Sequence, residues 1–288
     1  MIINYLYQIY TKILIIWLKF EFKNKPKYYT FGVNLIVKQR TIDQLSEAFK
    51  EREAFSAKDL FDYWTLTEGP FNKGTSGWRI YELKQKRILQ EIKKGWYTLK
   101  VKPTYTPVPD KHHIIIDNII RENYRKVLFT IWNTNWLNEF SVHQFNKDNL
   151  IIEIEKDLQE SLRDALQEEE FTDLAWSIGR KNLQFSGIKN PVFILPLITR
   201  APLQEVAVGS QKYQVPTLEK ILVDIYDDLA LFYFLQGAEL ERIFEHAISR
   251  YAINFTTLFG YAKRRNKEDV LKAYLKKNFP SLPSIVTE

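Results

Sequence analysis

Two acidic sets have the residue types and spacing closest to a reactive centre. In the first, Gly209-Ser210 precedes Asp224 and Asp227. A Gly-Ser turn can hold a phosphate, and two carboxylates on alternate strand positions point the same way and can share a divalent metal. Together these are the parts of a nucleotidyl-transfer site. Here the acids are three apart in a segment of helical periodicity. That spacing sets them on one helix face, but not on the strand the chemistry needs. In the second, Glu153-Ile154-Glu155-Lys156 follows Asp148. A restriction-type nuclease would show an acid, a gap, then Glu/Asp-x-Lys. The lysine here comes one position late, on the opposite strand face, so solvated charge at a strand edge is the reading. His112-His113 is the only histidine pair, and His143 and His246 are scattered. A metal site needs further ligands in fitting geometry, so the pair reads as solvated histidines in a linker. The chain has no cysteine, which excludes disulfides, thiolate metal sites and a cysteine nucleophile. A phosphate loop ending in Lys-Ser/Thr, a G-x-S-x-G elbow and H-E-x-x-H are also missing from it. No catalytic residue, metal ligand or cofactor is assigned, and the chain reads as a non-enzyme.

The elements that would position these residues begin elsewhere, at Ser56–Leu99. Ser56 is suited to capping a helix in which Leu60, Phe61 and Trp64 recur at helical spacing. Gly69, Pro70 and Gly74 break it, leaving a long loop over Thr65–Gly74. A second helix begins near Thr75 or Ser76. Strands at Ile88–Lys93 and Trp96–Leu99 flank Lys94-Gly95, where glycine permits the positive φ of a tight hairpin. Upstream, Ile42, Leu45 and Phe49 mark another amphipathic helix. Three helices and a basic hairpin in this order predict a winged helix-turn-helix over residues 41–102, a module that lays its second helix in the DNA major groove. Ile80 and Leu83 should face inward. Lys73, Thr75, Ser76, Arg79 and Lys86, with Glu82 as a further candidate, should lie toward the groove, with Arg79 on a base and the lysines on backbone. Lys93 and Lys94 at the wing tip should touch phosphate. Trp78 and Tyr81 fit either side of the helix, with core packing the favoured reading.

Residues 103–113 hold three prolines within seven residues and predict a semi-rigid linker. Residues 114–288 form a mixed second domain. Helices are expected at Ile114–Tyr124, Trp136–Phe140 and Asp157–Gln167, and strands at Lys126–Trp132, Leu150–Glu155, Leu174–Ile178 and Val192–Leu195. A helix follows Pro216, and the chain is helical from Gly237 to Asn278 with one interruption near Asn254. The fold class is α+β, with a helical C-terminal part. Residues 1–40 are an extension that fits three readings: native, a membrane anchor, or a misassigned start. Ile2–Leu18 is apolar but shorter than a spanning helix and contains Lys12, so a membrane partner is not expected.

Charge divides the chain. Residues 1–102 carry 19 Lys/Arg against 10 Asp/Glu, net +9, and the remainder carries 22 against 25, net −3. A basic N-terminal half is the electrostatic footprint of a nucleic-acid reader. The composition, 45% hydrophobic and 26% charged, is that of an ordinary globular protein, and the lack of cysteine fits the cytoplasm.

Several segments in order resemble the AbiEi antitoxins of type IV toxin–antitoxin systems, which act in bacterial abortive infection and phage defence. WRIYELKQKRI with KKGWYTL is similar to that family's N-terminal winged helix. ITRAPL (Ile198–Leu203), VPTLEKILVDIYDD (Val215–Asp228) and YAKRR (Tyr261–Arg265) are similar to landmarks of its C-terminal antitoxin domain. The resemblance covers about residues 41–275 and marks a divergent member. It implies a repressor that binds inverted repeats in double-stranded operator DNA of its own operon, with room for a homodimer on the DNA. It also implies a C-terminal domain that counteracts a nucleotidyltransferase toxin, with or without a stable complex. Lys220, Asp224, Tyr261, Arg264 and Arg265 are the antitoxin-domain candidates. The basic members read equally as solvated surface. Two other classes stay open: a winged-helix regulator with a ligand-sensing C-terminal domain, and a nucleic-acid enzyme.

Overall fold

The computed structural model describes residues 39–70, 72–141, 148–169, 171, 174–176 and 191–287. The apolar run at Ile2–Leu18 and His143 lie outside them. Helix α1 (Gln39–Phe49) buries Ile42, Leu45 and Phe49, the stripe its spacing requires. Strand β1 (Phe55–Ser56) leads directly into α2 (Ala57–Glu68). There the Ser56 hydroxyl accepts from the Asp59 N–H at 3.1 Å while Asp59 accepts from the Ser56 N–H at 2.7 Å, a reciprocal capping box. Gly69, with φ +88°, ends α2. Helix α3 (Lys73–Gln85) starts after Asn72, whose side chain accepts from the Gly74 N–H. The long loop expected over Thr65–Gly74 is therefore short, because residues 65–68 continue α2 and Gly74 lies inside α3. Strands β2 (Gln90–Lys93) and β3 (Trp96–Thr98) form the hairpin, with Gly95 at φ +76°. Strand β1 completes a three-stranded antiparallel sheet of order β1-β3-β2, pairing Phe55 with Tyr97. Leu45, Phe55, Leu60, Trp64 and Leu83 share one core beneath it.

The expected linker is docked. Pro103 O accepts from the Ala252 N–H at 2.9 Å, and Tyr105 is buried among Phe140 and Tyr251. Helix α4 (Lys111–Asn123) opens at its end, capped by Asp110. A four-stranded sheet follows, built from β4 (Thr130–Asn133), β5 (Leu150–Ile154), β6 (Leu174–Trp176) and β7 (Val192–Pro196) in the order β4-β5-β7-β6. Pair β4/β5 is antiparallel, and β5/β7 and β6/β7 are parallel. A 3-10 helix, Thr134–Phe140, follows β4.

Side-chain alternation assigns the sheet's two faces. Ile131, Ile152, Ile154 and Ile194 pack with α4 and with α5 (Gln159–Glu168). Trp132, Ile151, Phe193 and Leu195 pack with the C-terminal helices. Burial on both faces explains the near-continuous apolar runs LIIEI and VFILP. Strands β8 (Leu203–Val208) and β9 (Gln211–Pro216) form a hairpin, so Gly209-Ser210 is its turn, with Gly209 at φ +62°. Helices α6 (Leu218–Asp227), α7 (Ala238–Arg250), α8 (Phe255–Arg264), α9 (Glu268–Asn278) and α10 (Ser284–Thr287) complete the chain. The expected single interruption is in fact two, at Tyr251–Asn254 and at Arg265–Lys267. The architecture is mixed α+β with small sheets. No helix among the described residues is long and apolar enough to cross a membrane.

Candidate functional site

Two places gather the candidate residues: the outer side of α3 with its hairpin, and a buried charge network between β5, α6 and α8.

On α3, Ile80 and Leu83 face inward as their spacing requires. So does Ser76, at 5% exposure, which corrects its placement toward a groove. The Arg79 guanidinium is committed to Glu68 through two bonds of 2.6 and 2.7 Å and sits 5.6 Å over the Trp64 ring. A base contact by Arg79 requires that pair to open; as placed, it braces α3 against α2. Thr75 is half-buried, Lys73 is exposed, and Lys86 is exposed but paired with Glu82 at 2.8 Å. Tyr81, read as core, is 60% exposed. It lies on the stripe of α3 opposite Ile80 and Leu83.

The hairpin leans on the C-terminal helices. Lys93 Nζ donates to Ile285 O at 2.6 Å, and the Lys94 N–H donates to Thr256 Oγ1 at 2.7 Å. Ile92 packs against the large C-terminal core. Lys102 Nζ donates to Ile248 O at 2.5 Å. Of the two wing-tip lysines, Lys94 is exposed and Lys93 half-buried.

The second place joins segments far apart in sequence. Period two along β5 puts Glu153 on the same face as Ile151, toward α6, and β5 is covered on both faces. Glu153 is therefore buried, which corrects the solvated strand-edge reading. Lys220, on the inner face of α6, has 0% exposure and is hydrogen-bonded to Glu153 and, at 2.6 Å, to Asp224. Asp224 also accepts from the Tyr261 hydroxyl at 2.9 Å and faces Arg265 at 3.1 Å. Arg265 Nε donates to Asp227 at 2.6 Å, and Lys267 lies 3.2 Å from Asp227. Burial, and then the charges of Asp224 and Glu153, push the Tyr261 hydroxyl above its ordinary range, so it remains a donor.

Three carboxylates and three cations balance here. The Asp224/Asp227 pair meets lysine and arginine, and Glu153 reaches it through Lys220; no metal-type cluster occurs among the described residues. What the network does chemically is hold β5, α6 and α8 together. Sequence reasoning found Lys220, Asp224, Tyr261 and Arg265 as ordered landmarks but missed Glu153 as their partner. Its signal was an acid inside an otherwise apolar central strand. Arg265 is not surface charge, since its side chain is 4% exposed. Arg264 beside it points outward, donating to Arg200 O at 2.8 Å with its guanidinium 5.6 Å over the Tyr261 ring.

His113 is likewise not a solvated linker residue. It is buried in the first turn of α4 between Trp136 and Tyr213, and neither ring nitrogen has a hydrogen-bond partner. Burial lowers its pKa from 6.5 to about 4, so the ring is neutral near pH 7. His246 donates from Nδ1 to Phe140 O at 2.6 Å.

Compared with known proteins, residues 75–281 match the model of a family of unknown function, DUF6577. The match spans more than two-thirds of the chain, and the chain belongs to this family. It begins inside α3 and runs through the β2/β3 hairpin, the four-stranded sheet, the β8/β9 hairpin and helices α6 to α9, ending before α10. No curated protein matches the sequence.

Proposed function

We propose that this DUF6577-family chain is a DNA-binding antitoxin. Residues 39–102 act as a winged helix-turn-helix on inverted repeats in double-stranded operator DNA and repress the chain's own operon. The C-terminal domain counteracts a nucleotidyltransferase toxin. The observation that carries the reading is the order α1-β1-α2-α3-β2-β3 with the pairing β1-β3-β2, joined to charge. Residues 73–102 hold nine Lys/Arg against two Asp/Glu. The cations offered to phosphate are Lys73, Arg87 and Lys94, all exposed, and Lys86 in exchange for its pairing with Glu82. The antitoxin half rests on the resemblance of the TLEKILVD and YAKRR segments. It is supported by their meeting in one buried network, so that the landmarks form a single unit with Arg264 on its outer side. The reading assigns the chain no catalytic role, cofactor or metal. The test is paired: binding of the full chain to its own promoter fragment, and rescue of growth when it is co-expressed with a neighbouring nucleotidyltransferase. Binding without rescue would leave a repressor but remove the antitoxin.

A second reading, a ligand-sensing regulator, is favoured by a cleft of about 460 Å³ between the hairpin and the C-terminal helices, lined by Ile92, Lys102, Ile253 and Phe279 among others. A ligand there would touch hairpin and C-terminal core at once. A small molecule that raises the melting temperature and shifts operator affinity would select this reading.

A further inference from the structure

We infer that duplex DNA is met by one stripe of α3, formed by Lys73, Gly77, Tyr81 and Gln85, with the backbone at Gly77 as the point of closest approach. The inference rests on the DNA-binding reading above and names the surface that performs it. These four residues recur every fourth position, so each is the neighbour of the next along a row that winds slowly round the helix, with Gly77, Tyr81 and Gln85 on its outer side. All four are exposed, Tyr81 at 60%. The polar residues first expected to read bases face elsewhere: Ser76 is buried and Arg79 is held by Glu68 against Trp64.

Gly77 is the informative member. It lies inside a 13-residue helix, where glycine is the poorest helix former apart from proline. Its φ is not positive, and a Cβ built on it would meet nothing within 4 Å. The fold therefore gives no reason for glycine there, and alanine would serve the helix better. The remaining reason is external: a partner that approaches the helix backbone closely. The surroundings commit that partner to an anion-rich surface. Lys73 begins the stripe, Lys86 and Arg87 follow its end, and the 73–102 segment is strongly basic. A major groove admits an α-helix and offers phosphates to both ends. Gln85 can pair with adenine there, and the Tyr81 ring can meet a thymine methyl. Because Lys93 and the hairpin tip are docked on the C-terminal helices, α3 makes the central contact and the hairpin flanks it.

The test uses the full chain, fluorescence anisotropy on its promoter duplex, and thermal melting in parallel. Gly77→Leu should weaken duplex binding by about tenfold or more, and Tyr81→Ala by several-fold, a range set by single lost groove contacts. Neither should lower the melting temperature, and Gly77→Ala should raise it. Leu66→Ala, on the 86%-exposed position of α2, serves as the control and should change nothing. Wild-type chain that fails to bind duplex DNA would overturn the DNA-binding reading itself. Wild-type binding with unchanged affinity in both Gly77→Leu and Tyr81→Ala would overturn the stripe and leave that reading standing. A loss of stability in Gly77→Ala would also count against the stripe, since it would give the glycine an internal reason.

Discussion

Buried charge makes sharp demands on single residues. Lys220 has 0% exposure and two carboxylate partners, so Lys220→Met leaves Glu153 buried without its cation and Asp224 with Arg265 alone. We expect a loss of about 3–5 kcal/mol, read as a lower urea midpoint with an unchanged slope. Arg265→Glu should destabilise comparably, because its partners are Asp224 and Asp227. Arg264→Glu should stay within about 0.5 kcal/mol, and is therefore the substitution with which to probe a partner on this face. The segment YAKRR was legible as a landmark, but which of its two arginines turns inward was not. That depends on Asp224, 41 positions earlier in the sequence, and on the phase of α8. His113 gives a pH prediction. Its folded pKa, about 4, lies below the unfolded 6.5, so below pH 6.5 the unfolded chain takes up a proton that the native chain refuses. Stability is full above pH 6.5 and falls toward pH 4, by up to about 1.4 kcal/mol per pH unit. His113→Phe should gain on the wild type across that window in urea melts. A pH-independent difference between the two would contradict the buried, unpaired ring.

At the scale of elements, local signals were enough where the element carries its own punctuation. Ser56 and Asp59 announce α2, and the capping box is present; Ser56→Ala should cost about 1 kcal/mol in thermal or urea unfolding. The apolar runs at Leu150–Ile154 and Val192–Pro196 likewise read as strands and are strands. What escaped was non-local. Strand β1 has two residues, too few for any periodicity, and exists because Phe55 pairs with Tyr97. Strands β8 and β9 were missed because Gly209-Ser210 suggested a phosphate turn, whereas a glycine at positive φ equally serves a hairpin. The proline segment read as a spacer because proline excludes regular structure; its docking depends on Tyr105 reaching Phe140 and Tyr251. The hairpin's seat on the C-terminal helices can be tested directly. Ile92→Ser removes an apolar contact to that core, and amide exchange at Lys93–Gly95 should quicken while α2 remains protected. Unchanged exchange there would mean that Ile92 does not hold the hairpin.

For the whole molecule, the core of α1 to β3 and the large C-terminal core are bridged by a docked hairpin and a docked proline segment, and positive charge concentrates in residues 1–102. That asymmetry was readable from residue counts alone. The engagement of Lys93 with Ile285 O was not, because a count does not say which cations already have partners. Fewer phosphate contacts are therefore expected than the charge total suggests: Lys73, Arg87 and Lys94, with Lys86 added only where it exchanges Glu82 for phosphate, rather than every basic residue of the segment. The most direct test of the central claim is the affinity of the full chain for duplex DNA of its own promoter, measured across a salt series. The expected result is that log K falls linearly with log salt, with a slope of roughly −3 to −4 for those three or four contacts. No binding at low salt, or an affinity indifferent to salt, would contradict it.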